Sequence, residues 1–117
     1  MKHFKMEEFI CKCGCGQNQM IPETLDRIDK AREIANVPFK VTSGYRCVAH
    51  NAAVGGKSEG AHTTGHAVDI EASVSPNRFL IVDALLKVGF NRIGIGKTFI
   101  HADDDPTKPP KVMWEYV

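Results

Sequence analysis

Between Pro22 and Ala35 the apolar positions Leu25, Ile28, Ala31 and Ala35 return at close to helical spacing, while Asp26, Arg27, Asp29, Lys30 and Arg32 occupy the other face. That pattern predicts an amphipathic helix, opened by Pro22 and Glu23 and stopped by Asn36 and Pro38. Phe39-Lys40-Val41-Thr42 alternates instead and predicts a strand running into Ser43-Gly44-Tyr45-Arg46. A short helical turn is expected over 47–53, a loop over 55–60 by composition, and a second strand over 67–72. Ser75-Pro76 reads as a helix start, with Ser75 able to cap and Pro76 suited to the first helical position. Phe79, Val82, Leu85 and Leu86 would form its apolar stripe, and Gly89 would end it. Residues 92–96 and 98–101 predict two strands around a tight turn, 103–110 a loop, and 112–116 a final short strand. Residues 4–20 are turn-rich, with Gly14, Gly16, Gln17 and Asn18.

No long alternation of strand and helix appears, and no repeat. The expected fold class is α+β: a small antiparallel sheet with helices packed on one side. A chain of 117 residues fits one domain, 1–117.

Charge narrows the function more than hydropathy does. Fifteen basic side chains against 14 acidic ones leave a net charge of +1. No electrostatic footprint for nucleic acid or an anionic membrane results. No apolar run approaches the roughly 20 residues of a membrane helix, so no membrane insertion is expected. The opening Met1-Lys2-His3-Phe4-Lys5-Met6-Glu7-Glu8 lacks the apolar core of a secretion signal, which points to the cytoplasm of the cell of origin. In that compartment the four cysteines are expected to be reduced. Cys11, Cys13 and Cys15 alternate, and Cys47 stands apart. Free, partly buried thiols are the simplest reading. A disulfide would use Cys47, and four thiolates could form a structural zinc site, although the spacing is not C-x-x-C.

The candidate chemistry sits in His62-Thr63-Thr64-Gly65-His66-Ala67-Val68-Asp69 and in Phe99-Ile100-His101-Ala102-Asp103. A bend after Gly65 would bring His62 and Asp69 to one point, with Gly65 and Ala67 keeping it free of bulk. Neighbouring strands lie about 4.8 Å apart, close enough for His101 to join them. Two histidines and one aspartate suit a catalytic zinc ion with its fourth position open. Nickel or copper would also accept them. On spacing alone, histidines that only form hydrogen bonds or face solvent remain an alternative. Trp114 could line a groove or close the core.

Ser43-Gly44-Tyr45-Arg46, Asn51 with Gly55-Gly56, His62-x-x-Gly65-x-Ala67-x-Asp69 and Phe99-Ile100-His101-x-Asp103 follow one another in that order. Together they resemble the zinc D-Ala-D-Ala carboxypeptidases, in particular the short single-domain members common in phages and prophages. The similarity runs from about Phe4 to Trp114-Glu115-Tyr116. It implies a hedgehog/D-Ala-D-Ala peptidase-like fold with the zinc site on the sheet. It implies His62, Asp69 and His101 as Zn2+ ligands, and Arg46 facing the substrate carboxylate or the oxyanion of a tetrahedral intermediate. Tyr45 is expected in the core.

The implied reaction is metal-assisted hydrolysis of an amide bond in the peptide stem of bacterial peptidoglycan. Zinc activates water and polarises the carbonyl, while a carboxylate moves the proton. Some members remove a terminal D-alanine and others cut within the stem. Two positions depart from the pattern. Gly60 stands where many members have Ser, with Ser58 two residues earlier, and Thr98 stands where several place the acidic base. Asp103 is the nearest acidic candidate, on the same strand face as His101, and could act as base or orient the histidine. Glu59 and Glu71 are further candidates, and His66 and His50 could assist near the metal.

The resemblance thus predicts a lysis-type enzyme, an endolysin, that reaches the wall after release from the cytoplasm; the small size suggests a catalytic domain without a wall-binding module, and the sequence leaves the oligomeric state open, with a monomer favoured. The alternative is a catalytically weak or inactive zinc-containing wall-binding or phage structural module, motivated by Thr98. A zinc domain for nucleic acid built on the four cysteines would need a basic stripe that no predicted helix carries.

Overall fold

The computed structural model describes residues 1–56 and 60–116. A single 3-10 turn (Met6–Phe9) precedes α1 (Pro22–Ala35), β1 (Val41–Ser43), α2 (Val48–Ala53), β2 (Ala67–Glu71), α3 (Ser75–Lys87), β3 (Arg92–Ile95), β4 (Phe99–Asp103) and β5 (Val112–Glu115). Helix α1 matches the periodicity of its sequence: Leu25, Ile28, Ala31 and Ala35 are buried, and Asn36 ends the helix in the left-handed conformation at φ 53°. Its N–H donates to the Arg32 carbonyl, satisfying one of the last-turn acceptors.

Helix α3 departs from the expected stripe. Its buried residues are Ile81, Ala84 and Leu85, whereas Phe79 is 73% exposed and Leu86 48% exposed. The helix is apolar on nearly every side from Phe79 to Leu86, so periodicity could not select the packed face. Nor does Ser75 cap it. Val74 holds the cap position, and Ser75 and Pro76 are already helical.

The five strands form one sheet in the order β1-β2-β4-β3-β5. Three pairings are antiparallel, but β5 runs parallel to β3, so the sheet is mixed rather than antiparallel. The cause is where β4 stops. Its last residue, Asp103, pairs with Arg92 at the start of β3, and the chain passes that end to start β5 at Val112, also opposite Arg92. A strand starting there runs with β3. The Arg92 guanidinium fastens the passing loop by donating to the Pro109 carbonyl at 2.7 Å.

The side chains alternate across this sheet. Val68, Ile70, Ile93, Ile100 and Ala102 join the helix residues Leu25, Ile28, Ile81 and Leu85 in one hydrophobic core. Helix α1 packs on α3, and α3 on β4. The opposite face presents a row that crosses all five strands in register: Ser43, Asp69, His101, Gly94 and Trp114. The helices thus buttress the floor on which the polar row stands.

Candidate functional site

Asp69 and His101 are direct cross-strand partners on β2 and β4. The loop before β2 adds His62. Gly65 makes that loop possible: it adopts φ 81°, and a Cβ there would lie 2.0 Å from the Gln19 carbonyl oxygen. The Gly65 carbonyl in turn accepts from Ile21 N at 3.0 Å, tying the loop to the start of α1.

Three ligand atoms converge. Asp69 Oδ1 lies 3.0 Å from His101 Nδ1 and 3.3 Å from His62 Nε2. The two imidazole rings meet edge to face, 5.2 Å between centroids. All three residues are buried, each less than 10% exposed. A zinc ion with bonds of about 2.0–2.1 Å and tetrahedral angles separates its ligand atoms by about 3.3–3.4 Å. The observed separations fit that ion, and a donor set of two imidazoles and one carboxylate suits it chemically.

Each histidine is held by its other ring nitrogen. His62 Nδ1 is 2.8 Å from the Gly44 carbonyl oxygen. A carbonyl only accepts, so Nδ1 carries the proton and Nε2 presents its lone pair to the centre. His101 Nε2 is 2.7 Å from Asp103 Oδ2, on the side of the ring away from Asp69. Asp103 is itself fully buried; its Oδ1 accepts from Arg92 Nε at 2.8 Å and from Asp105 N at 3.4 Å. Outer partners of this kind orient histidine ligands and raise their basicity. Burial opposes ionisation of Asp69, but hydrogen bonds from His101 and His62 outweigh it and hold the carboxyl well below the usual range. Burial likewise opposes the His101 imidazolium, yet the bonds to Asp103 and Asp69 raise its pKa.

Arg46 completes the floor. Its Nε donates to Ser43 Oγ at 2.9 Å, one terminal nitrogen to Asn51 Oδ1 at 3.2 Å and the other to Asp69 Oδ2 at 3.2 Å. Asn51 is 1% exposed, so a buried amide on α2 fixes the guanidinium. Above these residues opens a cleft of about 620 Å³. Phe99, Trp114 and Tyr116 line its wall. Trp114 therefore belongs to the groove, its ring 5.5 Å from that of His101 and beneath the Arg92 guanidinium at 5.3 Å. Gly94 lets it lie there, since a Cβ at that position would meet Trp114 at 2.8 Å and Tyr116 at 2.6 Å.

His62, Asp69, His101 and Arg46 thus come together, and Asp103 sits one ring further back. Asp69 and Asp103 are the only carboxylates lining the cleft among the described residues. Glu71 pairs with Lys40 at 3.5 Å and does not line the cleft. His50 and His66 do not line it either. Glu59 and Ser58 lie outside the described residues. Tyr45 is buried in the core. Motif reading does not single out Arg92, although it lies two residues before Gly94 on the same strand face, a signal that alternation does carry. Asn51 belongs to the motif set, but its bond to Arg46 has no local signal, because the two meet only through the turn into α2.

The sequence from residue 2 to 103 matches the model of the family described as Peptidase M15. No curated protein matches the chain.

Proposed function

The chain belongs to the Peptidase M15 family, of the zinc D-Ala-D-Ala carboxypeptidase type, whose members act on peptidoglycan, and on that premise we propose that it hydrolyses an amide bond in the peptide stem of bacterial peptidoglycan. The observation that carries this reading is the convergence of His62 Nε2, Asp69 Oδ1 and His101 Nδ1 at the floor of a cleft that also holds Arg46. Those three residues would hold zinc. When bound, zinc supplies Lewis-acid polarisation of the scissile carbonyl and a lowered pKa for water.

The chain's own groups do the rest. The Gly44 carbonyl fixes the His62 tautomer, and Asp103, itself fixed by Arg92, orients His101. Asp103 is then a positioning residue rather than the general base, because both its oxygens are already engaged. Arg46 spends three of its five N–H donors on the protein, which locks its plane. Its remaining donors suit the terminal carboxylate of a stem peptide or the oxyanion of the tetrahedral intermediate. Phe99, Trp114 and Tyr116 would pack the substrate's apolar parts and exclude water. The hedgehog/D-Ala-D-Ala peptidase-like fold, the single domain over 1–117 and the phage lysis type belong to the same proposal.

The test is product analysis. Zinc-loaded protein incubated with purified stem peptides should release a free amine, and mass spectrometry of the fragments identifies the bond. Arg46→Lys should lower kcat/KM about 100-fold, the cost of one lost oriented donor. Metal-loaded protein that binds stem peptides and releases no amine would show a binding module instead.

A further inference from the structure

A second cluster lies outside the cleft. Cys11 Sγ is 3.5 Å from Cys13 Sγ and 3.7 Å from Cys47 Sγ, and Cys13 Sγ and Cys47 Sγ are also 3.7 Å apart. Cys15 completes the group: all four sulfurs lie within 4.8 Å of one another, and all four cysteines are free. Disulfide pairing would split these separations into short and long, since bonded sulfurs sit at about 2.05 Å. The near-equal separations among Cys11, Cys13 and Cys47, with Cys15 close by, are what a central ion imposes. Zinc–thiolate bonds of about 2.3 Å at tetrahedral angles put sulfurs about 3.8 Å apart.

Backbone donors point the same way. Cys47 N donates to Cys11 Sγ and His50 N to Cys47 Sγ, both at 3.4 Å. N–H groups aimed at sulfur favour the thiolate, the form a metal binds. Around the cluster the backbone is tied down as well: Cys11 N donates to the Gln17 carbonyl, and Tyr45 N to the Phe9 carbonyl, both at 3.0 Å.

We infer that Cys11, Cys13, Cys15 and Cys47 form a second metal site, a closed tetrathiolate centre for zinc. Four protein ligands leave no open position, so its role is structural. The site clips the segment carrying Cys11, Cys13 and Cys15 onto the residue that follows Arg46. Cys47 also caps α2, the helix that carries Asn51 to the Arg46 guanidinium. The ion would therefore brace one wall of the cleft from behind. This inference does not depend on the peptidase reading.

Cobalt(II) substitution tests it. Full-length reduced protein, stripped of metal and refilled with cobalt, should bind two ions per chain and show an intense near-ultraviolet thiolate-to-cobalt charge-transfer band. The double variant Cys13→Ser, Cys15→Ser changes two exposed side chains. It should lose the band and one ion while its circular dichroism still reports a folded chain. His62→Ala should keep the band; its survival there supports the thiolate centre whatever happens to the other ion. A reduced wild-type chain with no charge-transfer band overturns the inference, and so does a band that persists undiminished in the double variant.

Discussion

The His62–Asp69–His101 trio and the four-cysteine cluster both gather ligand atoms within 4.8 Å, but the fold builds them in opposite ways. The trio stands on paired strands and the loop before them, and each histidine is held from behind by a carbonyl or a buried carboxylate. It faces an open cleft. The cysteines come from a turn-rich segment and a helix cap, and the groups aimed at their sulfurs are backbone N–H donors. Three ligands on a rigid floor leave room for a reacting molecule. Four thiols closing on one another leave none. The number of ligands and what stands behind them, rather than the mere presence of metal-binding residues, separates a centre for chemistry from one for structure.

His62→Ala should lower peptidase activity about 1,000-fold or more, the scale of several kcal/mol of Lewis-acid stabilisation. Metal analysis of the same variant should show the thiolate-bound ion intact. A variant that retains full activity would remove the trio from the chemistry.

Next, the double variant Cys13→Ser, Cys15→Ser should lose about 3 kcal/mol of unfolding free energy in buffer holding free zinc at about 100 times the site's Kd. Its kcat/KM should fall far less than that of His62→Ala. Equal losses of activity would mean the two centres are not separate in role.

Asp103→Asn removes the carboxylate behind His101. Loss of a carboxylate behind a histidine ligand typically costs about 10–100-fold in metal affinity. Zinc titration should show that weakening at the trio alone, with activity recovered when zinc is raised. Activity that stays lost at saturating zinc would restore Asp103 as the base.

The smallest effect isolates stability that needs no metal. Burial would raise the Asp105 pKa, but bonds from Lys108 and Thr107 prevail and lower it from 3.8 to about 2. Because the folded value lies below the unfolded one, the contribution is present above the unfolded pKa and disappears as pH falls towards about 2. Its size is about 2 kcal/mol. Unfolding of metal-stripped Asp105→Asn and wild type should differ by that amount at neutral pH and converge in acid.

Much of this was legible in the chain. Helix α1 followed from Leu25, Ile28, Ala31 and Ala35, and the hairpin of β3 and β4 from its alternation around a turn. Spacing suggested the trio and left other roles for its histidines open; the family resemblance singled it out, and the register sets Asp69 and His101 side by side. Three things escaped local reading. The packed face of α3 was ambiguous because apolar residues surround the helix. The parallel direction of β5 depends on where β4 ends beside Arg92, a tertiary fact. The consecutive aspartates read as one loop, yet each has its own partner: Asp103 holds His101, Asp104 holds Thr24 and Arg27, and Asp105 holds Lys108 and Thr107.

The polar row ends at Trp114, at the edge of the sheet. Strand β5 stands at the sheet edge, and β3 separates it from β4, the nearest strand that carries a ligand of the trio. The aromatic rings of Trp114 and Tyr116 rest on Gly94, a position that contributes no side chain of its own. Changes at 94, 114 and 116 would therefore reshape the cleft wall without replacing a member of the trio, and Trp114 alone of the two rings packs on the His101 ring, at 5.5 Å. On the proposed function, the edge of the cleft wall can thus be revised at Trp114 and Tyr116 while His62, Asp69 and His101 themselves stay as they are.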